Sequence, residues 1–159
     1  MNIERISKIE SGSLGRLVDE SLSQGFPCVD RLIREYHSGF NCFDKSGEIL
    51  LRVLVQSEVV GIGGLNQDPY FKDPKVGRLR HLYVGSVWRR KGAGRLLVDR
   101  LIAEASQHCQ LLTLRTQTLA ADKFYQQLGF KTAPCWEHTT HHRQLSEVDY
   151  YPSTQSEVL

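Results

Sequence analysis

The sequence predicts an α/β protein with a single mixed sheet flanked by helices. Three observations carry that expectation. Apolar residues switch repeatedly between period two and helical spacing, in the order β, α, α, β, β, β, α, β, α, β, β. Glycine and proline punctuate those segments at short intervals. No internal repeat or shift of composition marks a second unit, and 159 residues suffice for one well-buried core. Residues 1–150 therefore read as one domain. Residues 151–159 lack periodicity and read as a frayed tail.

"IERISKI" alternates weakly and suits a first strand. Leu14, Leu17, Val18 and Leu22 recur at helical spacing behind two candidate caps, Ser11 and Ser13. Pro27 interrupts, and Val29, Leu32, Ile33 and Tyr36 mark a second helix that stops near Gly39. "EILLRVLV" and "VVGIGGL" read as strands joined by a tight turn at Gln56-Ser57-Glu58. Gly61, Gly63 and Gly64 in the second of them imply close packing against its face. A loop with two Asp-Pro pairs leads to the strand "RLRHLYV". Period two places Arg78, Arg80 and Leu82 on one face, with Leu79, His81 and Tyr83 on the other. In the helix that follows, Gly94, Val98, Leu101 and Ala105 face inward, while Arg95, Asp99, Arg100 and Glu104 face solvent. "LLTLRT" is a strand, and "AADKFYQQL" a helix capped by Gly129. "FKTA" and "THHRQL" complete the sheet.

Composition excludes several classes. An apolar share of 40% and a charged share of 24% are those of an ordinary soluble domain. Net charge is only +2, and no recognition motif accompanies the basic residues, so nucleic acid is not the expected partner. No apolar run is long enough to span a membrane, and the charged N-terminus lacks the apolar centre of a signal peptide. Cys28, Cys42, Cys109 and Cys135 are irregularly spaced, which fits a reduced, cytoplasmic protein.

Charge is concentrated locally. Between Pro74 and Val98 there are seven Lys/Arg and no Asp or Glu. Within that stretch, Arg89-Arg90-Lys91-Gly92-Ala93-Gly94-Arg95 opens a helix. The first amides of a helix lack intrahelical partners and carry partial positive charge, and glycine lets an anion approach them. The turn reads either as a phosphate site or as a solvated basic helix start. It is not a P-loop, since no Gly-Lys-Ser/Thr ends it, and it is not G-x-G-x-x-G.

Arg89, Gly92 and Gly94 resemble the Q/R-x-x-G-x-G/A signature of the GNAT family of acyl-CoA-dependent N-acetyltransferases. Ala121, Phe124, Tyr125, Gly129 and Phe130 resemble that family's later A-x-x-F-Y-x-x-x-G-F segment, at about the family's usual separation. The resemblance covers roughly 78–131 and implies the GNAT acyl-CoA N-acyltransferase fold, with a mixed, mostly antiparallel sheet. It implies acetyl-CoA as co-substrate and transfer to a primary amine of a small molecule or peptide; separately, no metal is expected, on the histidine spacing. A homodimer would be in keeping with many members. The rival within the same fold is a non-catalytic acyl-CoA-binding sensor.

By that resemblance the pyrophosphate would sit on Arg90, Lys91, Gly92, Ala93, Gly94 and Arg95, with the motif residue Arg89 also at the cofactor, and the pantetheine arm along main-chain groups of Leu82, Tyr83 and Val84. Thr118 stands where the family often has an asparagine near the cofactor. An N–H near Leu82 would stabilise the carbonyl oxygen, and Tyr125 would protonate the departing thiolate. Where several members carry a glutamate base this chain has Arg78, so Arg78 and Arg80 become candidates for binding an acidic group of the substrate. The base stays open among Asp68, Asp73, Glu137, His138, His141 and His142, a water chain, or none. "CWEHTTHH" gathers Cys135 and three histidines, but strand alternation would set His138 and His142 against His141, which suits zinc poorly.

Overall fold

The computed structural model describes residues 1–134 and 136–152; Cys135 and most of the predicted tail, residues 153–159, lie outside it. The elements follow the predicted order: β1 (Asn2–Arg5), α1 (Gly15–Ser23), α2 (Cys28–Ser38), β2 (Ile49–Val55), β3 (Glu58–Gln67), β4 (Val76–Val84), α3 (Ala93–Ala105), β5 (Leu111–Leu114), α4 (Leu119–Gln127), β6 (Lys131–Thr132) and β7 (His141–Gln144). They form one seven-stranded sheet in the order β1-β2-β3-β4-β5-β7-β6. Every pairing is antiparallel except β4 with β5.

Helices cover both faces. Leu97, Val98, Leu101 and Ala105 of α3 pack with Leu51, Val53, Leu79 and Leu112 on one side. Leu17 of α1 and Val29 and Leu32 of α2 pack with Leu50, Ile62 and Tyr83 on the other. The β3 glycines do what their number suggests. A Cβ on Gly63 would stand 2.7 Å from Leu82 Cδ1, and one on Gly64 only 2.2 Å from Phe43 Cε1. Helix ends are equally legible. Gly39 takes φ 80 after α2, and Gly129 takes φ 87 after α4, where the Phe130 N–H bonds the Tyr125 carbonyl at 3.0 Å.

Local expectations are corrected in three places. Neither Ser11 nor Ser13 caps α1; the N-cap position is held by Leu14, which supplies no side-chain bond. The Ser13 hydroxyl donates instead to the Glu10 carbonyl (2.8 Å), inside a turn that precedes the helix. The β2–β3 turn is tighter than read, with Gln56 (φ 49) and Ser57 (φ 68) as its two central residues and Glu58 already paired to Val55. The third concerns β4. Its register against β3 shifts between Gly64↔Arg80 and Ile62↔Tyr83, so that His81 and Leu82 together oppose Gly63. His81 absorbs the bulge at φ 58. Alternation therefore fails there: Leu79 and Leu82 pack on the α3 face, whereas Tyr83 joins the α1–α2 core. His81, predicted opposite Arg80, lies on the same α2 side as it does.

Candidate functional site

The turn between β4 and α3 is built from the residues singled out by charge. A single 3-10 turn at Ser86–Trp88 is followed by Arg90 at φ 59 and Gly92 at φ 92. Left-handed residues at both positions aim consecutive amides into one concavity. The helix has no side-chain cap, and its first i→i−4 bond runs from Leu96 N–H to the Gly92 carbonyl at 3.0 Å. The amides of Gly92, Ala93, Gly94 and Arg95 are thereby left for an external acceptor. The two glycines serve different ends. Gly92 has open space about its missing Cβ and is required by its φ, whereas a Cβ on Gly94 would meet the Phe124 ring at 3.3 Å.

The four cations of this turn are not equivalent. Arg89 folds back on β4, donating to the Val84 carbonyl (3.0 Å) and to Gln24 (2.7 Å) across the Tyr83 ring. Lys91 rests its ammonium over Trp88, and Arg95 pairs loosely with Asp99 at 3.7 Å. Arg90 is exposed. Glu20 anchors the turn from α1, accepting from the Ser86 N–H (2.6 Å) and the Tyr83 hydroxyl (2.9 Å). The Ser86 N–H holds that carboxyl below the usual range, and burial, with the bond to Glu20, pushes the Tyr83 phenol up to about 12.

Beside the turn the sheet parts. β4 and β5 pair only at Val76↔Leu111, Gly77↔Leu112 and Arg78↔Thr113, after which β5 continues alongside β7 alone. From Leu79 to Val84 this edge of β4 has no described strand beside it, which opens a slot. The Gly85 N–H reaches the Val60 carbonyl (2.8 Å), so strand alternation turns the peptide groups of Val84 and Leu82 toward the slot. Those of Tyr83, expected with them, face Ile62 of β3.

Tyr125 flanks the slot from α4. Its ring is buried edge-on to Phe124 (5.1 Å) and Phe130 (5.4 Å), with His141 at 6.2 Å, and its hydroxyl bonds no described residue. Burial, reinforced by the nearby Cys28 thiol, raises the phenol well above its ordinary range and keeps it protonated. Thr118 is the N-cap of α4, accepting from the Ala121 N–H at 3.1 Å, which accounts for a hydroxyl at this position without any ligand.

The face under α2 departs furthest from the sequence reading. Arg78 is buried against Asp68 (3.6 Å), donates to the His138 carbonyl (2.5 Å) and the Thr139 hydroxyl (3.4 Å), and lies over Tyr70. That network occupies its guanidinium. Arg80 sits 3.7 Å from Glu35 of α2, and His81 lies 3.4 Å from the same Glu35 oxygen. The Nδ1 of His81 meets the Cys28 carbonyl at 3.0 Å, and burial, then Arg80, pushes the imidazole down to about 4. Sequence reasoning missed both Glu35 and His81. Glu35 looks like one more charge on an amphipathic helix, and nothing local to "RLRHLYV" announces a bulge.

The C-terminal histidines diverge. His138 stands in a turn at φ 58, stacked on Tyr70 at 4.4 Å. His141 bonds Asp122 at 2.6 Å on the Tyr125 side, and His142 packs edge-on to Trp136.

A sheet parted beside an uncapped helix start is the layout of an acyl-CoA-dependent N-acyltransferase, and the comparisons with known proteins place the chain in that class. The model of the acetyltransferase (GNAT) family matches residues 16–130, and the chain belongs to this family. A candidate acetyltransferase from Exiguobacterium sp. 255-15 is 29% identical and superposes with a TM-score of 0.81 over 90% of this chain and 92% of that one. An aminoglycoside 6′-N-acetyltransferase complexed with coenzyme A is 18% identical, with a TM-score of 0.68 over 94% of this chain and all of the other. A ribosomal-protein-alanine N-acetyltransferase from Brucella melitensis is 17% identical, with a TM-score of 0.67 over 91% and 99%. The last two support the fold alone. A comparison with curated protein sequences gave no match. No described helix is long and apolar enough to cross a membrane.

Proposed function

We propose that the protein transfers the acetyl group of acetyl-CoA directly to a primary amine of a small molecule or peptide. The observation that carries this reading is the juxtaposition of the uncapped α3 amides with the unpaired β4 edge, both bordered by the helix that bears Tyr125. The amides of Gly92, Ala93, Gly94 and Arg95 take the diphosphate, and Arg90 and Lys91 neutralise it. The slot-side peptide groups of Leu82 and Val84 hydrogen-bond the pantetheine arm as an added strand would.

The chemistry then needs two donors. An amide on the slot edge, beside the bulge, stabilises the oxyanion; losing one such donor typically costs about 3 kcal/mol. Tyr125 gives its proton to the sulfur as the C–S bond breaks. Its unpartnered hydroxyl supports that role, because a tyrosine serving only to pack has no need of one.

The test is calorimetry with acetyl-CoA, followed by turnover of Tyr125→Phe on a panel of amines. Acetyl-CoA binding should survive in the variant while kcat falls about 100-fold, the usual scale for loss of a general acid. Wild-type kcat in the variant would refute the role of Tyr125. Binding without turnover of any amine by the wild type would leave a sensor of the same fold.

A further inference from the structure

We propose that Glu35 and His81 form the seat of the acceptor amine, binding its ammonium group against both Glu35 Oε2 and His81 Nε2 and taking up the proton it must lose. This deepens the acetyltransferase reading and rests on it.

Two buried polar atoms face each other under α2. Glu35 Oε2 and His81 Nε2 are both buried, and neither has a hydrogen-bond partner among the described residues. They lie 3.4 Å apart, with the His81 side chain 5% exposed and that of Glu35 19%. The Nδ1 of His81 faces the Cys28 carbonyl, which can only accept, so Nδ1 carries the ring proton. A neutral ring then offers a lone pair at Nε2, directly opposite a carboxylate oxygen. Two buried acceptors this close are costly unless one donor reaches both, and Arg80 Nη2, 3.7 Å from Glu35 Oε2, is beyond hydrogen-bond distance. A primary ammonium supplies two N–H groups from one nitrogen.

Position and surroundings agree. His81 is the bulged residue immediately before Leu82, whose peptide groups edge the slot. An amine held at Nε2 therefore lies one residue from the acyl site. The charged and titratable groups facing the pair are Cys28, Arg31 and Glu35 from α2 and Arg80 from β4, with Phe43 edge-on to the ring at 6.3 Å. Arg80, 3.7 Å from Glu35 Oε2, disfavours a second cation and so eases the ammonium toward its neutral form.

The balance is as follows. The ammonium gives one proton to Nε2, and the freed lone pair forms the C–N bond. The C–S bond breaks with its electrons on sulfur, which takes the Tyr125 proton. The new amide nitrogen sheds its second proton to solvent, from which Tyr125 is reprotonated. His81 then releases its proton, so each turnover liberates one.

The test uses the full chain with Glu35→Gln and His81→Asn. At pH 7 each should lower kcat/KM for an accepted primary amine at least 100-fold while the acetyl-CoA Kd stays within twofold of wild type. The loss should shrink as pH rises, because the amine then arrives already neutral. In Glu35→Gln the new amide can donate to Nε2, so Tm should hold or rise as activity falls. Unchanged amine kcat/KM, or a loss equal at every pH, overturns the proposal. A second readout does not depend on turnover. In histidine-labelled wild type, n-butylammonium should move the His81 Nε2 resonance, and in Glu35→Gln it should not. An unmoved wild-type resonance overturns the pair, whereas failure to bind acetyl-CoA overturns the acetyltransferase reading instead.

Discussion

Replacing Asp68 by asparagine isolates what Arg78 does. The Asp68 carboxylate is fully buried, 3.6 Å from Arg78, and accepts from the Thr113 hydroxyl (2.5 Å) and the Tyr70 N–H (2.8 Å). The substituted amide keeps one acceptor for Tyr70 but turns donors or a neutral oxygen toward a buried guanidinium. Removing one partner of a buried pair costs about 3–5 kcal/mol. Arg78 retains the His138 carbonyl, the Thr139 hydroxyl and the Tyr70 face, so the lower end, about 3 kcal/mol, applies. At about 2–4 °C per kcal/mol for a chain of this size, Tm should fall by about 6–12 °C. Urea unfolding should show the same loss through its midpoint at unchanged slope. Asp68→Asn combined with Arg78→Met should regain most of the stability, because the uncompensated charge is gone. A single-variant loss below about 1 kcal/mol would refute the reasoning. It would return Arg78 to the candidates for gripping an acidic substrate.

Three further outcomes follow from the site. Gly92→Ala forces a side chain to φ 92 and should cost about 1 kcal/mol with a weaker acetyl-CoA Kd. Gly94→Ala should be near neutral in stability, because a helix-propensity gain of about 1 kcal/mol offsets a Cβ crowded against Phe124 at 3.3 Å; denaturation and calorimetry on both variants check this. The His81 imidazole, lowered from 6.5 to about 4 on folding, binds protons more readily in the unfolded chain across that interval. Its contribution is therefore complete above pH 6.5 and lost as pH falls toward 4. Stability against pH for His81→Asn should be flatter than wild type there, and parallel curves would contradict the assignment.

What the sequence disclosed and what it withheld divide along a physical line. Element order, the Gly39 and Gly129 stops, the packing on the β3 glycines and the basic turn are written in local periodicity and backbone freedom. The departures all depend on partners distant in sequence. Arg78 looked free for substrate because Asp68 is brought to it only when β3 and β4 pair. His81 changed faces because a bulge is fixed by register against Gly63. Ser13 looked like a cap because a hydroxyl before an apolar run so often is one, but the turn at Gly12 took it first. Glu35 became notable only once α2 was laid across β4.

Three parallel rungs join the first four strands to the last three. The molecule is thus two leaves meeting at a short seam, with α3 bridging one leaf to the turn and Phe124 wedged against the start of that helix. A molecule lying in the gap would act as mortar, engaging main chain on one leaf and α4 on the other. Occupancy and cohesion would then be the same event, and the short parallel seam of the architecture would also border the proposed chemistry.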